Sequence, residues 1–424
     1  MKDLRGETLY FVQLDRFANG DPTNDAGRDA ATFDPTHRDF LRHWGGDLKG
    51  VLERLPYLQR LGITVLVLSP VVEQLPSIGR DRGMLASAWH GGWAYDMRRL
   101  DPHLVGRGEW DRPFGRWDTV FDELLAACHA VGMRVVVQVY CGQSNPGGAH
   151  HARGEMLDDG KWLLSFEHDG LGWYRREGGR EGQDGPPMFD AGSATFRAWM
   201  RDVLAGWLRR GVDGFLFEEA DQMPLWFWQE LSAHLSDKAG AACLLGKWSG
   251  RGWDDLSIAF ADRSGVACGD FGFHRGVQES LCWQDVGGLR RIATYLEHDH
   301  ALADATSLIT SLECGWTTRL QSAGLRREHL AIALVLLLTS RGVPMLTYGV
   351  EQGLHLPGGE HEPHHAPMME GWDDTAESDV IWRLAMLRRG NLAVQRGRYR
   401  TLWVNEDVLV YARSHVEDHV VVVL

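Results

Sequence analysis

Short apolar runs alternate with amphipathic stretches along most of the chain. Eight runs have the composition of buried β-strands: 9–14, 63–70, 133–140, 213–219, 241–248, 265–273, 306–313 and 343–350. Helical periodicity followed by a closing glycine marks four stretches between them: 48–62, 117–132, 196–211 and 327–342. Continuous apolar strands between helices are typical of a parallel sheet covered on both faces. The pattern predicts a (β/α)₈ TIM barrel of the α/β class, with its site at the C-terminal ends of the strands.

Two parts of the chain depart from this alternation. Residues 141–195, rich in Gly, Asp and Arg, follow the third strand and are too long for a plain loop, so they predict an inserted lobe. The lobe carries Trp162, Trp173 and Tyr174, which would either line a ligand groove or pack the lobe onto the barrel. After residue 395 the pattern changes to period two, which predicts a partial C-terminal β unit. The predicted organisation is a barrel at 1–140 and 196–394, a lobe at 141–195 and a β unit at 395–424.

Composition narrows the classes of partner. The net charge of −14 argues against nucleic acid and anionic membranes and agrees with a neutral ligand such as a sugar. Eighteen tryptophans could stack on sugars, although core packing explains most of them equally well. The start of the chain has no stretch like a signal peptide, and no window has the length of a membrane span. Six cysteines without metal or redox spacing are expected to be free buried thiols, and we expect a cytoplasmic protein.

The stretch "GVDGFLFEEADQ" (211–222) raises the question of catalysis. A buried strand ends there in two adjacent carboxylates, Glu218 and Glu219, just before a helix signal. Acids at this point of an α/β barrel lie where such folds place their chemistry. Strand alternation would direct Glu219 towards the surrounding helices, where a structural role is expected. Glu218 is therefore either part of a working centre or the remainder of one.

Four long motifs carry a resemblance to a known family. They are "YFVQLDRFANGDPTND" (10–25), "WGGDLKGVLERLPYLQRLGITVLVLSPVVE" (44–73), "WHGGWAYDMRRLDPHLVG" (89–106) and "GVPMLTYGVEQG" (342–353). The chain resembles α-amylase-family glycoside hydrolases from end to end, especially the cyclomaltodextrinase and cyclodextrin glucanotransferase branches. The resemblance implies a double displacement by three carboxylates: a nucleophilic Asp on strand four, an acid/base Glu on strand five and a substrate-clamping Asp after strand seven.

At each of these positions the chain differs from the family. The nucleophile falls on Glu218, the acid/base on Lys247 and the third carboxylate on Trp316. The Arg two residues before the nucleophile is replaced by Leu216. Other family positions fall on different residue types: Gly92, Gln138, Gly142, Gln143, Asp221, Gln222, Cys314 and Gly315. The resemblance leaves three substrate-binding candidates: His90, Trp93 and Arg319.

These differences predict a catalytically degenerate member that binds an α-glucan or a protein partner. Glu218 and Lys247 would then neutralise each other, since an unpaired buried charge is costly. The alternative is an active α-glycosidase or transglycosidase with Glu218 as nucleophile and Lys247 or Glu313 as proton donor. Glu313 is expected to be a solvated loop residue. Trp316 either fills the subsite of the reacting ring or offers a platform on which a sugar stacks.

A calcium site is the predicted cofactor. The stretches 19–25 and 45–47 supply oxygen ligands of the kind that Ca²⁺ prefers. The candidate ligands, which correspond to a calcium site in the related glucanotransferases, are Asn19, Asp21, Asn24, Asp25, the Gly45 carbonyl and Asp47. A polar turn without an ion is the alternative. A second cluster, formed by His355, His361, His364 and His365, has no metal-ligand spacing and is expected to be a solvated loop.

Overall fold

The structure is a computed structural model. It describes residues 2–81, 84–106, 108–109, 119–145, 172–175, 186–239, 242–248, 254–283, 287–313, 317–356 and 366–424.

The strands are Leu9–Val12 (β1), Val65–Leu68 (β2), Val72–Gln74 (β3), Gly79–Asp81 (β4), Met84–Ala86 (β5), Ala94–Leu100 (β6), Arg134–Tyr140 (β7), Gly214–Glu218 (β8), Cys243–Gly246 (β9), Ala267–Cys268 (β10), Ile309–Ser311 (β11), Val343–Thr347 (β12), Arg398–Val404 (β13), Leu409–His415 (β14) and Asp418–Val423 (β15). The α-helices are Leu48–Glu53 (α1), Leu55–Arg60 (α2), Val120–Ala130 (α3), Ala194–Arg210 (α4), Leu225–Ala239 (α5), Asp255–Arg263 (α6), Phe271–Val277 (α7), Leu289–Glu297 (α8), Leu330–Thr339 (α9), Ala376–Gly390 (α10) and Leu392–Arg396 (α11).

Eight strands form one parallel barrel sheet. Their order is β10-β9-β8-β7-β2-β1-β12-β11, and Gly269 makes a parallel bridge to Ile309 that joins the two ends of this order. Each strand lies within one of the eight apolar runs, which confirms the predicted (β/α)₈ fold. The run 265–273 is a strand only at β10. Asp270 then accepts a hydrogen bond from the Phe273 N–H and starts α7, so the second half of that run is helical.

Each of the four predicted helical stretches is helical in the structure, and one of them contains two helices. The stretch 48–62 is divided into α1 and α2. Pro56 lacks an N–H and so cannot donate to the carbonyl four residues earlier, which explains the break. Helix α4 ends at Gly211, whose φ of 115° is accessible mainly to glycine. The antiparallel pairs β3–β6 and β4–β5, between residues 72 and 100, were not predicted.

The chain divides into two compact units. The first comprises Met1–Phe11, Pro56–Leu66 and Cys243–Leu424, and the second comprises Val12–Leu55 and Val67–Ala242. The second unit contains an aromatic cluster in which Phe196 and Phe189 stack at 4.6 Å and Phe189 and Tyr174 at 5.0 Å. Trp173 and Tyr174 are buried, so these two lobe residues pack inward. Trp162 lies outside the described residues.

The first unit ends in an antiparallel sheet, β13-β14-β15. Among the described residues, no helix is long and apolar enough to cross a membrane. Five cysteines in the described part of the chain are buried thiols outside any disulfide, as expected.

Two buried arginines hold the C-terminal end of α9. Arg388 donates to the carbonyl oxygens of Leu338, Ser340, Gly342 and Arg5, at 2.9 to 3.2 Å. Arg413 donates to the carbonyls of Thr339 and Gly397. Burial, together with the charge of Arg413, lowers the pKa of Arg388 to about 9. Carbonyls at a helix C-terminus carry partial negative charge, and here they stabilise the two buried guanidinium groups.

We expect Arg388→Met to lower the midpoint of thermal unfolding strongly. The buried carbonyls of Leu338, Ser340 and Gly342 would lose a donor, at a cost on the order of 3 kcal/mol or more. Arg389→Met, at the exposed neighbouring position, is the matched control and should leave the midpoint unchanged. Calorimetry of both variants measures the difference, and equal midpoints would contradict the structural role of Arg388.

Candidate functional site

Glu218 ends β8 at the C-terminal side of the barrel sheet. Its side chain is buried, with 2 % exposure. In the neighbouring strand β7, Tyr140 is the residue opposite Glu218, and Gln138 donates from Nε2 to Glu218 Oε2 at 2.5 Å. The family resemblance places an Asp at position 138, so an amide donor now stands where a second carboxylate is expected. Oε2 of Glu218 therefore serves as a hydrogen-bond acceptor within the protein.

Glu219 differs from the expectation based on strand alternation. Its φ and ψ are 50° and 48°, a left-handed conformation that ends the strand. Gln222, in the short 3₁₀ turn Ala220–Gln222, donates from Nε2 to Glu219 Oε2 at 2.5 Å. The alternation stops at Glu218, and Glu219 belongs to the turn that leads into α5.

Lys247 follows β9 directly and is half-buried. A Cβ on Gly246 would lie 2.8 Å from Cζ of Phe260, so the residue before Lys247 has room only for glycine. Burial lowers the pKa of His274, in α7, to about 4, and the charge of Lys247 acts in the same direction. Nδ1 of His274 donates to the Leu312 carbonyl at 2.6 Å, which opposes this lowering of the pKa, but the effect of burial is larger. No sequence signal pointed to His274. The pairing of Glu218 with Lys247 stays a prediction.

Glu313 and Arg319 form a buried ion pair, so the expectation that Glu313 is solvated is wrong. Nη1 of Arg319 lies 2.7 Å from Glu313 Oε2, and the Leu320 N–H donates to Oε1 at 2.7 Å. Arg319 also donates to the Tyr348 carbonyl, and its guanidinium lies 4.4 Å from the centroid of the Tyr348 ring. Glu313 is buried because it pairs with Arg319, whose buried guanidinium is stabilised by a carboxylate. Trp316 lies outside the described residues, and both interpretations of it stay predictions.

The stretch 89–106 contains two of the predicted sugar-binding residues, His90 and Trp93. Nδ1 of His90 accepts from the Gly92 N–H at 2.9 Å, and the His90 and Trp93 rings meet edge-on at 4.9 Å. Trp93, with 2 % exposure, belongs to an apolar cluster with Leu75, Ala86 and Ala88. His90 is half-buried and is the more accessible of the two.

The ring of Tyr140 lies close to Gly92. Gly92 stands where the family carries a sugar-stacking Tyr. A Cβ at Gly92 would lie 3.2 Å from Cζ of Tyr140 and 2.9 Å from Nδ1 of His90. An aromatic ring from β7 therefore borders the position of the lost Tyr. Nothing in the sequence indicates that Tyr140 lies at the candidate site, because it belongs to a strand whose apolar pattern predicts only burial.

The predicted calcium loop is ordered by Asp47. Its Oδ1 accepts from the N–H groups of Gly20 and Gly50, and its Oδ2 accepts from the Asp21 N–H and from Nδ2 of Asn24. All four donors are amide groups, so Asp47 is saturated as an acceptor and begins α1 as its cap. Oδ1 of Asp21 accepts hydrogen bonds from the hydroxyl and the N–H of Thr23.

The remaining loop oxygens fit a cation better. Asn24 is buried, and its Oδ1 has no hydrogen-bond partner among the described residues. Burial raises the pKa of Asp25 to about 6; the charges of Asp47 and Asp21 add to this, while the hydrogen bond from Asn19 opposes it. A Cβ on Gly45 would lie 2.7 Å from Oδ1 of Asp25, which brings the Gly45 backbone against this carboxylate. Within the described ranges, no group of three or more His, Cys, Asp or Glu residues could hold a metal ion. An ion here would therefore depend on amide and carbonyl oxygens.

The second predicted cluster is largely outside the described residues. Of its four histidines only His355 is described, and its Nδ1 donates to the Gly353 carbonyl at 2.8 Å.

Comparisons with known proteins agree with the fold. A model of the α-amylase catalytic domain matches residues 11–145. A cyclomaltodextrin glucanotransferase of Klebsiella oxytoca is 27% identical over 100% of this chain and 70% of its own length. One from Niallia circulans is 26% identical, and the chain spans only 58% of it. Among solved structures, a cyclomaltodextrin glucanotransferase with a three-domain ABC distribution has a TM-score of 0.88 at 28% identity, covering 99% of this chain and 87% of that one. The γ-CGTase of alkalophilic Bacillus clarkii has a TM-score of 0.87 at 27% identity, covering 100% and 62%.

The Glu313–Arg319 pair gives a test of a structural role. Arg319→Met should destabilise the protein by about 3–5 kcal/mol, because it leaves a buried carboxylate unpaired. The double variant Glu313→Gln/Arg319→Met should be more stable than Arg319→Met alone. Removing the exposed pair Arg326–Glu328, whose atoms are 3.8 Å apart, should change stability by less than about 1 kcal/mol. Strictly additive effects in the double-mutant cycle would show that the pair is not coupled.

Proposed function

Because this chain belongs to the α-amylase family of glycoside hydrolases, we propose that it binds α-linked glucans and has lost the family's double-displacement cleavage. The observation that carries the proposal is the arrangement of the carboxylates. Glu218 accepts an amide hydrogen bond, and Glu313 is closed in an ion pair. A retaining mechanism needs a carboxylate nucleophile and a protonated acid about 5 Å apart. Neither of these carboxylates is presented as that acid.

An active α-glycosidase would need a proton donor in addition to the nucleophile Glu218. Both oxygens of Glu313 accept hydrogen bonds from N–H groups of the protein, so both are engaged within the protein. Lys247 follows β9 where the family carries its acid/base Glu. An ammonium with an ordinary pKa of about 10.4 is a weak general acid at neutral pH. We infer that bond cleavage is slow or absent.

The groups suited to bind a sugar are better retained. His90 is half-buried, and its Nδ1 accepts a hydrogen bond from the Gly92 N–H, which fixes the orientation of the imidazole ring beside Gly92. Tyr140 provides an aromatic ring beside it, and Gln143 donates weakly to the Gly92 carbonyl at 3.4 Å. Amides, an imidazole and an aromatic ring are suited to a neutral, hydroxyl-rich ligand. The relatives are cyclomaltodextrin glucanotransferases, which supports a glucan as the ligand.

We expect the purified protein to bind maltoheptaose without releasing products. Maltooligosaccharides, cyclodextrins and aryl α-glucosides should give no turnover above that of Glu218→Gln. Isothermal titration should show both proteins binding maltoheptaose, with Glu219→Gln as the neighbouring control. Product release by the unmodified protein above the level of Glu218→Gln would refute the loss of cleavage, and absence of binding would refute the glucan ligand.

We also propose that Ca²⁺ binds the first loop. Asp25, the Oδ1 atoms of Asn24 and Asn19 and the Gly45 carbonyl would hold the ion, with Asp47 ordering the loop behind them. The buried, unpartnered Oδ1 of Asn24 and the raised pKa of Asp25 support this proposal, since a cation would satisfy both. The ion would stabilise the loop and would take no part in bond cleavage.

The calcium proposal predicts a pH-dependent stabilisation. The folded-state pKa of Asp25 lies near 6, above the ordinary value near 3.9, so without calcium its stability contribution is lost as pH rises through 6. Calcium needs the ionised carboxylate, so it should raise the unfolding midpoint by several degrees at pH 7.5 and hardly at pH 5. At a hundredfold excess over Kd the expected gain is about 2.7 kcal/mol.

Variants in the loop separate binding from general stability. Asp25→Asn and Asn24→Ala should abolish the calcium-induced shift. Asp39→Asn, in the same loop, keeps an acceptor for the Leu41 N–H and should preserve the shift. A midpoint that is independent of calcium at pH 7.5 would refute the site.

A further inference from the structure

Helices α4 and α5 both begin on the side of the sheet where the candidate site lies. Strand β8 runs up to Glu218, and α5 starts at Leu225, with six residues between the strand and the helix. Helix α4 precedes β8 and runs back along it, so its first turn lies on the same side. The first turns of α4 and α5 therefore belong to the rim around the C-terminal ends of the strands.

Trp226, in the first turn of α5, is an exposed aromatic residue on this rim. Its side chain is 46 % exposed, whereas the next two residues, Phe227 and Trp228, are buried. Phe227 packs against Phe196, and Trp228 packs against Phe217 and donates to the Ala220 carbonyl. These two residues satisfy the packing of the helix. Packing therefore does not explain the indole at position 226.

Charged groups hold this indole from one side. The guanidinium of Arg197, in the first turn of α4, lies 5.4 Å from the Trp226 ring centroid. Nη1 of Arg197 donates to the carbonyls of Ala191 and Gly192, and Nε lies 3.1 Å from Glu230 Oε2. Glu230 also accepts from Nη1 of Arg201 at 2.7 Å. We name Arg197, Arg201, Trp226 and Glu230 the Trp226 shelf.

The Trp226 shelf combines a flat apolar surface with fixed charged groups at its edge. A pyranose ring has the same division, with an apolar C–H face and hydroxyl groups around its rim. Indoles are enriched at interfaces, because the side chain combines a large apolar ring with a polar N–H group. Because Arg197 is anchored by two carbonyls and a carboxylate, the shelf is ordered before a ligand arrives, which lowers the entropic cost of binding.

We propose that Trp226 is a stacking platform for a glucosyl unit of a bound α-glucan, on the same rim as Glu218 and outside the position of the reacting ring. The inference rests on the proposed glucan binding and adds a second contact point for one chain. A glucan that contacts both the candidate site and the Trp226 shelf would gain affinity from both.

The test compares Trp226→Ala with a matched control. Trp382, in α10, is also 46 % exposed, so Trp382→Ala removes an equal surface indole elsewhere. Isothermal titration with maltoheptaose should show about tenfold weaker binding for Trp226→Ala, which corresponds to about 1.4 kcal/mol. Trp226→Phe should weaken binding only two- to threefold, as expected from roughly half the stacking area. Trp382→Ala should bind like the unmodified protein.

The outcomes separate the two proposals. If the unmodified protein binds maltoheptaose and Trp226→Ala binds equally well, the stacking platform is refuted and the proposed function stands. If the unmodified protein does not bind, both fail. A loss of binding in Trp226→Ala with an unchanged unfolding midpoint, and none in Trp382→Ala, supports the platform. An equal loss in both variants would assign the effect to general surface changes and would also refute it.

Discussion

The guanidinium of Arg16 lies fully buried between the indole rings of Trp44 and Trp89, 4.2 Å from each ring centroid. It contacts the carboxylate of Asp15 and donates to the carbonyls of Phe40 and Arg42. A cation in this position needs every one of these partners, because removing a charge from water is costly. The sandwich therefore closes the long loop after β1 and joins it to the stretch that carries His90.

Both functional proposals depend on this closure. Trp44, which packs on Arg16, is followed in the sequence by Gly45 and Asp47. The carboxylate of Asp47 accepts hydrogen bonds from the N–H groups of Gly20 and Asp21. On the other ring, Trp89 directly precedes His90. The loop that would bind calcium and the stretch that would contact a sugar thus share one anchor. Any change that loosens Arg16 is expected to disturb both, although neither contains it.

The hydrophobic pattern of the sequence predicted the strands of the barrel correctly. The predictions were wrong for side chains whose position depends on a polar partner. All eight barrel strands fall in apolar runs, since burial on both faces demands such runs. Glu313 was expected in solvent, because nothing in the chain shows that Arg319, six residues later, turns back to bind it. Glu219 was expected to continue a strand, yet its backbone is left-handed. Tyr140 was invisible as a site residue, because it is contiguous in space with Gly92 but distant in sequence.

The contrast between Gly92 and Tyr140 bears on the kind of change this site has undergone. Had the site only decayed, lost side chains would leave gaps, or unrelated residues would fill them. Here the family's aromatic residue is absent at position 92, while a ring from β7 lies against the same glycine. Likewise, the Asp expected at position 138 is an amide that donates to Glu218, so the remaining carboxylate is satisfied within the protein. Compared with the residues that the family resemblance implies, the described site has an amide at position 138 in place of a carboxylate and an aromatic ring from Tyr140 beside Gly92. That combination disfavours a double displacement, which requires developing charge to be stabilised, and favours the binding of a neutral ligand, which does not.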